Sequence, residues 1–104
     1  MGDLKIDEYV HSVLLRDLVG HDHRPAAFLT YLWLTLEEQR RGDSVAISYA
    51  SLAEELGISR SAAQTAIAWL LQRKLLTVQR EHITATPVYT THQPWSRLRR
   101  DRSI

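Results

Sequence analysis

Gly57 separates two short apolar repeats, and it restricts the possible folds of this 104-residue chain more than any other residue. Before it, Leu52, Ala53 and Leu56 share one face of a predicted helix, and Ser48 is placed to cap that helix at its start. A glycine after the last apolar position supplies the left-handed backbone conformation that ends a helix. The sequence therefore predicts a short helix that stops at a sharp corner.

A second helix is predicted directly after the corner. Ile58 is expected to fill the inside of the corner, and Ser59 is placed to accept the free amide hydrogens of the new helix. Apolar residues then recur at i, i+3, i+4 and i+7: Ala63, Ala66, Ile67 and Leu70. Small alanines in both helices allow the two axes to cross closely, as a helix-turn-helix unit requires.

The opposite face of the second helix is polar and carries no apolar side chain larger than a methyl group; it consists of Arg60, Ser61, Gln64, Thr65 and Ala68. Arginine forms a paired hydrogen bond with guanine, and glutamine does the same with adenine. Hydroxyl groups such as those of Ser61 and Thr65 can bind bases or phosphates. We interpret this face as a candidate DNA-reading surface, and an ordinary solvated helix face is the alternative.

Further candidate DNA contacts flank this face. Ser48, Tyr49 and Ser59 lie at helix starts, where backbone amides attract phosphate, although capping alone would explain the two serines. Basic residues that follow the second helix are candidates for contacts with the DNA backbone: Arg73, Lys74, Arg80 and His82. The C-terminal arginines could add attraction that is independent of sequence, or serve solubility only: Arg97, Arg99, Arg100 and Arg102.

The secondary structure of the N-terminal third is predicted less clearly than that of the two helices around Gly57. Residues 5–19 fit either a helix or a short strand. Pro25 suits the first turn of a helix that ends at Gly42. That helix carries a face of 3.6-residue period, formed by Phe28, Leu29, Leu32, Trp33 and Leu36. Tyr31 and Leu34 lie off this face, which predicts either burial within the chain or a dimer contact.

Three short segments have strand character. Residues 45–47 predict an edge strand, and residues 75–80 and 88–92 predict a hairpin with its tip near residues 81–86. The predicted fold is mainly α with a small β-hairpin, a three-helix core with a two- or three-stranded antiparallel sheet. We divide the chain into an N-terminal segment (1–24), a folded domain (25–95) and a basic flexible tail (96–104), with residues 93–95 leading into the tail.

Composition narrows the class of protein. The length fits one domain, no run of 18 apolar residues exists, and the N-terminus lacks the pattern of a secretion signal, so we expect a cytoplasmic protein with no membrane contact. Cysteine is absent, which excludes disulfides. Residues 1–57 contain five Lys/Arg and ten Asp/Glu, a net −5, whereas residues 58–104 contain eight and two, a net +6. The positive half contains the polar helix face, as a phosphate-binding side would.

No pattern in the sequence supports catalysis, a cofactor or a metal site. His21, Asp22 and His23 lack a further ligand at fixed spacing, and no nucleophile is paired with a base. Trp33 and Trp69 have spacings typical of core or interface packing, and the three tryptophans, Trp95 included, lack the alternating basic and aromatic pattern of a single-strand binder. We predict a protein that is not an enzyme and has no small-molecule effector.

These residues resemble the winged helix-turn-helix superfamily of DNA-binding proteins, in particular small bacterial and phage regulators and the winged modules of replication initiators. The resemblance covers about residues 25–95 and rests on residues 52–61 (LAEELGISRS), on Ala66, Ile67 and Leu70, and on a hairpin entered through Leu75 and Leu76. It implies double-stranded DNA as partner, residues 60–68 in the major groove, and homodimerisation through residues 1–20 and the exposed part of residues 28–36.

The resemblance implies a transcriptional regulator that represses by occlusion. A plasmid or phage replication or partition accessory protein uses the same module and is the first alternative. A winged helix that serves only protein contact is the second, because the polar helix face carries one arginine.

Overall fold

The computed structural model describes residues 3–95. An N-terminal helix consists of two π-helical stretches, Val10–Leu14 and Arg16–His21, and is followed by α1 (Pro25–Arg41), β1 (Val45–Ala46), α2 (Tyr49–Leu56), α3 (Arg60–Gln72), β2 (Leu76–Gln79) and β3 (Val88–Thr91). The strands form one antiparallel sheet in the order β1-β3-β2. This mainly helical arrangement with a small sheet is winged-helix-like, which confirms the predicted fold class.

The corner between α2 and α3 has the predicted geometry. Gly57 adopts the left-handed conformation at φ 70° and ψ 32°. Its N–H donates to the Glu54 carbonyl at 3.3 Å, and the Ile58 N–H donates to the Ala53 carbonyl at 3.1 Å. These two bonds satisfy carbonyls that the helix end would otherwise leave free. Three residues therefore suffice to turn the chain from α2 into α3.

The predicted hairpin and edge strand are confirmed. β2 pairs with β3 from Leu76 opposite Thr91 to Gln79 opposite Val88, so residues 80–87 form the wing between the strands. β1 pairs with the other edge of β3, with Val45 opposite Tyr89. Pro87 precedes β3, and its carbonyl accepts the Ile47 N–H at 3.1 Å. A proline in this position removes no donor that the strand ladder needs.

One core joins the three helices to the sheet. The small residues Ala53, Ala63 and Ala66 are at most 6% exposed, as the close packing of α2, α1 and α3 requires. Larger fully buried side chains come from every layer: Leu18, Tyr31, Leu34, Val45, Leu52, Ile67, Leu70, Leu76 and Tyr89. The core fixes the orientation of α3, which contacts α1, α2 and β2.

The buried face of α1 differs from the apolar face that periodicity indicates. Residues buried on α1 are Ala27, Thr30, Tyr31, Leu34, Thr35 and Glu37. Leu29 is 46% exposed, and the rest of the predicted face is only partly buried: Phe28, Leu32, Trp33 and Leu36. Tyr31 is fully buried because its hydroxyl donates to the His92 carbonyl at 2.8 Å, which satisfies its polar atom. Of the two alternatives for Tyr31 and Leu34, burial within the chain is the one observed.

Of the segment 5–19, residues 8–19 are helical and residues 5–7 precede the helix, so the helix alternative holds for most of the segment. Val10, Leu14 and Leu18 are buried, and their spacing of four residues places them on one face of the π-helical stretches. The Asp22 N–H donates to the Asp17 carbonyl at 2.7 Å, five residues earlier. The N-terminal helix thus packs with α1 as part of the domain core, not as a separate appendage.

Trp95 is also part of the core, contrary to the expectation that residues 93–95 lead into a tail. It is 6% exposed and stacks on Tyr9 of the N-terminal helix region, with ring centroids 4.4 Å apart. The tail at 96–104, with its four arginines, lies outside the described residues. Within residues 3–95, no helix combines the length and apolar character needed to cross a membrane.

Candidate nucleic-acid interface

The structure places one face of α3 entirely on the surface. The five residues singled out in the sequence are all exposed: Arg60, Ser61, Gln64, Thr65 and Ala68. The opposite side is buried to at least 98%, at Ala63, Ala66, Ile67 and Leu70. The 3.6-residue period separates the two sets, and the buried set consists of small and aliphatic residues only. We name the five exposed residues the recognition face.

The starts of α2 and α3 are capped as predicted. The Ser48 hydroxyl accepts the Ser51 N–H at 3.1 Å, and the Ser59 hydroxyl accepts the Ala62 N–H at 3.0 Å. Both serines are exposed, so their oxygens are accessible although they already cap a helix. Tyr49 differs from them because it is half-buried and packs against the core. These contacts fix the first turn of α3, which presents Arg60 and Ser61.

The two basic residues directly after α3, Arg73 and Lys74, differ in their contacts. The Arg73 guanidinium is drawn toward the N-terminal helix, with Nε 3.5 Å from Asp22 Oδ2 and Nη2 3.9 Å from Asp17 Oδ2. Lys74 is exposed at the end of α3 and holds a left-handed conformation at φ 61°. Its N–H donates to the Leu71 carbonyl at 3.1 Å, so a lysine occupies the helix-ending position where glycine is common. Arg73 is therefore the least available of the predicted phosphate contacts.

The wing carries the last two predicted contacts on its surface. Arg80 is exposed, and its Nη1 donates to the Ile83 carbonyl at 3.4 Å. His82 is exposed, with Nδ1 2.9 Å from the Thr84 hydroxyl. The wing also exposes 87% of Ile83, a large apolar side chain between these two polar pairs. The wing thus exposes an arginine, a histidine and one large apolar side chain.

A cluster that sequence reasoning missed lies on the flank of α3. The Trp69 Nε1–H donates to Asp22 Oδ2 at 2.9 Å, and Arg24 lies over the Trp69 ring, 4.7 Å from Cζ to the centroid. Asp22 Oδ1 lies 2.8 Å from His21 Nδ1. The hydrogen bond from His21, followed by the bond from Trp69 and the charge of Arg73, holds the pKa of Asp22 below its usual range. In the sequence, His21, Asp22 and Arg24 stand out only as neighbours of Pro25. The hydrogen bond from Trp69 of α3 to Asp22 joins residues that are 47 positions apart.

The same flank contains a shallow hollow of about 250 Å³ between the start of α1 and the middle of α3. Its lining includes His23, Arg24 and Ala27 on one side and Ala62, Thr65 and Ala66 on the other. Thr65 belongs to the recognition face, so the basic residues before α1 adjoin that face directly. Within residues 3–95, no group of three or more His, Cys, Asp or Glu side chains is placed to hold a metal ion.

Comparison of the chain with protein-family models, with curated proteins and with solved structures gives no match.

Proposed function

We propose that this chain is a winged helix-turn-helix protein that binds double-stranded DNA and regulates transcription, most simply as a repressor that occludes its site. The observation that carries the proposal is the recognition face of α3, which is wholly exposed, polar and backed by a rigid core. A helix of about 10–12 Å diameter fits the major groove of B-DNA, and the wing then lies against the neighbouring backbone or minor groove. Such a protein acts in the cytoplasm, on the nucleoid.

Base reading is assigned to the first half of α3. Arg60 and Gln64 are one turn apart and both exposed, so both side chains reach the same groove. Each paired hydrogen bond to a base contributes about 1 to 3 kcal/mol of discrimination against the wrong base. Ser61 and Thr65 add hydroxyls on the same face, and Ser48 and Ser59 lie near the helix starts that approach phosphates.

We further propose that the protein acts as a homodimer. Leu29, Leu32, Trp33 and Leu36 form an α1 stripe, a set of large apolar residues on one side of the helix that the chain covers only in part. Leu29 is 46% exposed, and apolar side chains in such a row are typical of a surface that meets a partner. A dimer with two-fold symmetry would present two recognition faces to two half-sites, and the α1 stripe shares no residue with those faces.

The test is selection of duplexes from a random pool by the purified wild-type protein, followed by affinity measurement on the selected duplex and on a scrambled one. The double variant Arg60→Ala with Gln64→Ala is expected to bind both duplexes equally, because it lacks the two base-reading side chains. The control is Arg16→Ala, which removes an exposed arginine of the N-terminal helix and should keep the preference of the wild type.

Unchanged sequence preference in the double variant would contradict the assigned face. A wild-type protein that binds no duplex at low salt but still self-associates would instead favour the alternative in which the winged helix serves protein contact only. A replication or partition accessory protein would give the same binding results as a repressor, and the genomic location of the selected duplexes separates these two roles.

A further inference from the structure

Residues 22–24, which join the N-terminal helix to α1, form a loop that is fixed against α3; we name it the α3-flanking loop. The Arg24 N–H donates to the Leu18 carbonyl at 2.7 Å, and the Arg24 carbonyl accepts the N–H groups of Ala27 at 3.0 Å and Phe28 at 3.2 Å. The loop backbone is thus bound to helices on both sides. Its side chains consequently hold defined positions beside α3.

Arg24 is held on Trp69 by contact with the face of the indole ring. Its Cζ lies 4.7 Å from the ring centroid, within the range of a cation–π interaction. The ring is itself oriented, since its Nε1–H donates to Asp22 Oδ2 at 2.9 Å. Stacking occupies the flat face of a guanidinium and leaves the N–H groups at its edge available to an acceptor.

The location of Arg24 relative to the recognition face follows from helix geometry. Thr65 and Trp69 are four residues apart on α3 and therefore neighbours on its surface. Thr65 and Arg24 line the same hollow, together with His23. Arg24 therefore lies at the edge of the recognition face, where the backbone of a duplex runs when α3 enters the major groove.

The guanidinium of Arg24 forms no ion pair within the described residues. It is exposed, and among residues 3–95 no carboxylate lies within ion-pair distance of it. Arg73 differs from Arg24, because Asp22 and Asp17 lie within ion-pair distance of its guanidinium. The recognition face has one arginine, so a fixed positive charge at its edge adds the attraction to phosphate that the face itself provides only weakly.

We infer that the α3-flanking loop is a DNA-backbone contact, in which the Arg24 guanidinium, stacked on Trp69, binds a phosphate beside the groove that α3 enters. The inference deepens the proposed function and rests on it. Arg24 donates hydrogen bonds from its free edge to phosphate oxygens, a pairing that suits the planar guanidinium. Asp22 and Trp69 are positioning residues, since they hold Arg24 in place without touching DNA.

The experiment measures the affinity of full-length protein for a labelled 30-base-pair duplex by fluorescence anisotropy, between 50 and 300 mM salt. Arg24→Gln is expected to weaken binding about tenfold, the effect of one charge-assisted contact of about 1.4 kcal/mol. The loss should be equal on the selected and the scrambled duplex, because phosphate carries no sequence information. The slope of log K against log salt should fall by about 0.9, the value for one phosphate contact.

Lys5→Gln is the matched control. It removes the same charge from an exposed side chain whose backbone groups pair with Gln39, near the far end of α1. The separation along α1 is about 20 Å at 1.5 Å per residue. This variant should keep the affinity and the salt slope of the wild type.

A double-mutant cycle tests the positioning role. Trp69→Leu keeps the charge of Arg24 but removes the ring on which it stacks, and it should weaken binding by about the same factor as Arg24→Gln. The variant that combines both changes should bind no more weakly than either single variant. Independent, multiplying losses would show that Trp69 does not act through Arg24.

The outcomes separate the two proposals. If Arg24→Gln behaves like Lys5→Gln while Arg60→Ala with Gln64→Ala loses sequence preference, the loop contact is wrong and the proposed function stands. If the wild-type protein binds no duplex at 50 mM salt, both are wrong. Arg24→Gln changes an exposed side chain, so its folding is expected to match that of the wild type, and circular dichroism checks this.

Discussion

Asp22 shows how a single side chain can join parts of the chain that are distant in sequence. Its carboxylate accepts the Trp69 indole N–H at 2.9 Å, lies 2.8 Å from His21 Nδ1 and lies 3.5 Å from Arg73 Nε. The side chain is only 5% exposed, so these partners replace the water that an ionised carboxylate needs. Asp22 therefore stabilises the packing of the α3-flanking loop on α3 through its charged form.

Asp22→Asn is expected to lower the free energy of unfolding by about 1.5 to 3 kcal/mol at pH 7, the range for hydrogen bonds to a charged group. Because the pKa of Asp22 is lowered in the folded protein, its contribution is complete above the pKa of the unfolded chain, near 4. The contribution is lost as the pH falls through the lower folded pKa. The difference between variant and wild type should thus shrink between pH 5 and pH 3.

Urea unfolding followed by circular dichroism at pH 7, 5 and 3 measures this difference. Asp3→Asn is the control, since Asp3 is exposed near the N-terminus and should give no change at any of the three values. An Asp22→Asn variant as stable as the wild type at pH 7, or equally destabilised at pH 3, would show that the ionised carboxylate does not hold the loop.

Residue-level signals in the sequence identified the local features and missed the distant contacts. Ser48, Gly57 and Ser59 were predictable because a cap or a helix stop involves only residues a few positions away. The bond between Asp22 and Trp69 depends on where two helices pack, and no pattern along the chain encodes it. The stacking of Trp95 on Tyr9 was missed for the same reason.

At the scale of elements, α1 shows that the face with the most apolar residues is not always the most buried face. Ala27, Thr30, Tyr31 and Leu34 also repeat at i, i+3, i+4 and i+7, so the helix has two faces with helical spacing. A hydrophobicity count favours the face with the larger aliphatic residues. The core selects the other one, because small Ala27 and Thr30 allow close packing and the Tyr31 hydroxyl reaches the His92 carbonyl. The residues of the α1 stripe are therefore left partly exposed at the surface.

Leu29→Glu is expected to convert a homodimer into a monomer, because it places a charge at the most exposed residue of the α1 stripe. The stability of the monomer fold should change by less than about 1 kcal/mol, since Leu29 is already 46% exposed. Sedimentation velocity at 5 to 100 µM measures the assembly state.

Ile83→Glu is the matched control for this change, because it introduces the same charge at a wing residue that is 87% exposed and far from α1 in the sequence. It should leave the assembly state as it is in the wild type. A wild-type protein that stays monomeric throughout the concentration range, or a Leu29→Glu variant that assembles as the wild type does, would exclude the α1 stripe as the dimer contact.

At the scale of the whole molecule, the division of charge along the sequence has a structural counterpart. The acidic residues Asp17 and Asp22 of the first half lie against Arg73, whereas Arg60, Lys74 and Arg80 of the second half remain on the surface. Exposed basic side chains therefore lie on the recognition face, after the end of α3 and on the wing. Arg24, from the acidic half, adjoins the recognition face although its position in the sequence gives no indication of it.

Most of the architecture was predictable because each element has a local signal of its own. Helices α1 to α3, the hairpin and the edge strand all follow from period, caps and β-branched residues. The order β1-β3-β2 and the packing of the N-terminal helix on α1 involve pairings between distant residues, which composition and period leave open. The candidate interface was predicted for α3 and the wing, but not for the α3-flanking loop.

We propose above all that the recognition face of α3 is the surface that meets duplex DNA. Amide chemical-shift mapping by NMR, with the selected duplex added stepwise to labelled protein, tests it most directly. We expect the largest shifts at residues 59–68, smaller ones at residues 24, 48 and 80–82, and little change along the α1 stripe. Shifts concentrated on the α1 stripe, with residues 59–68 unmoved at saturating duplex, would contradict it.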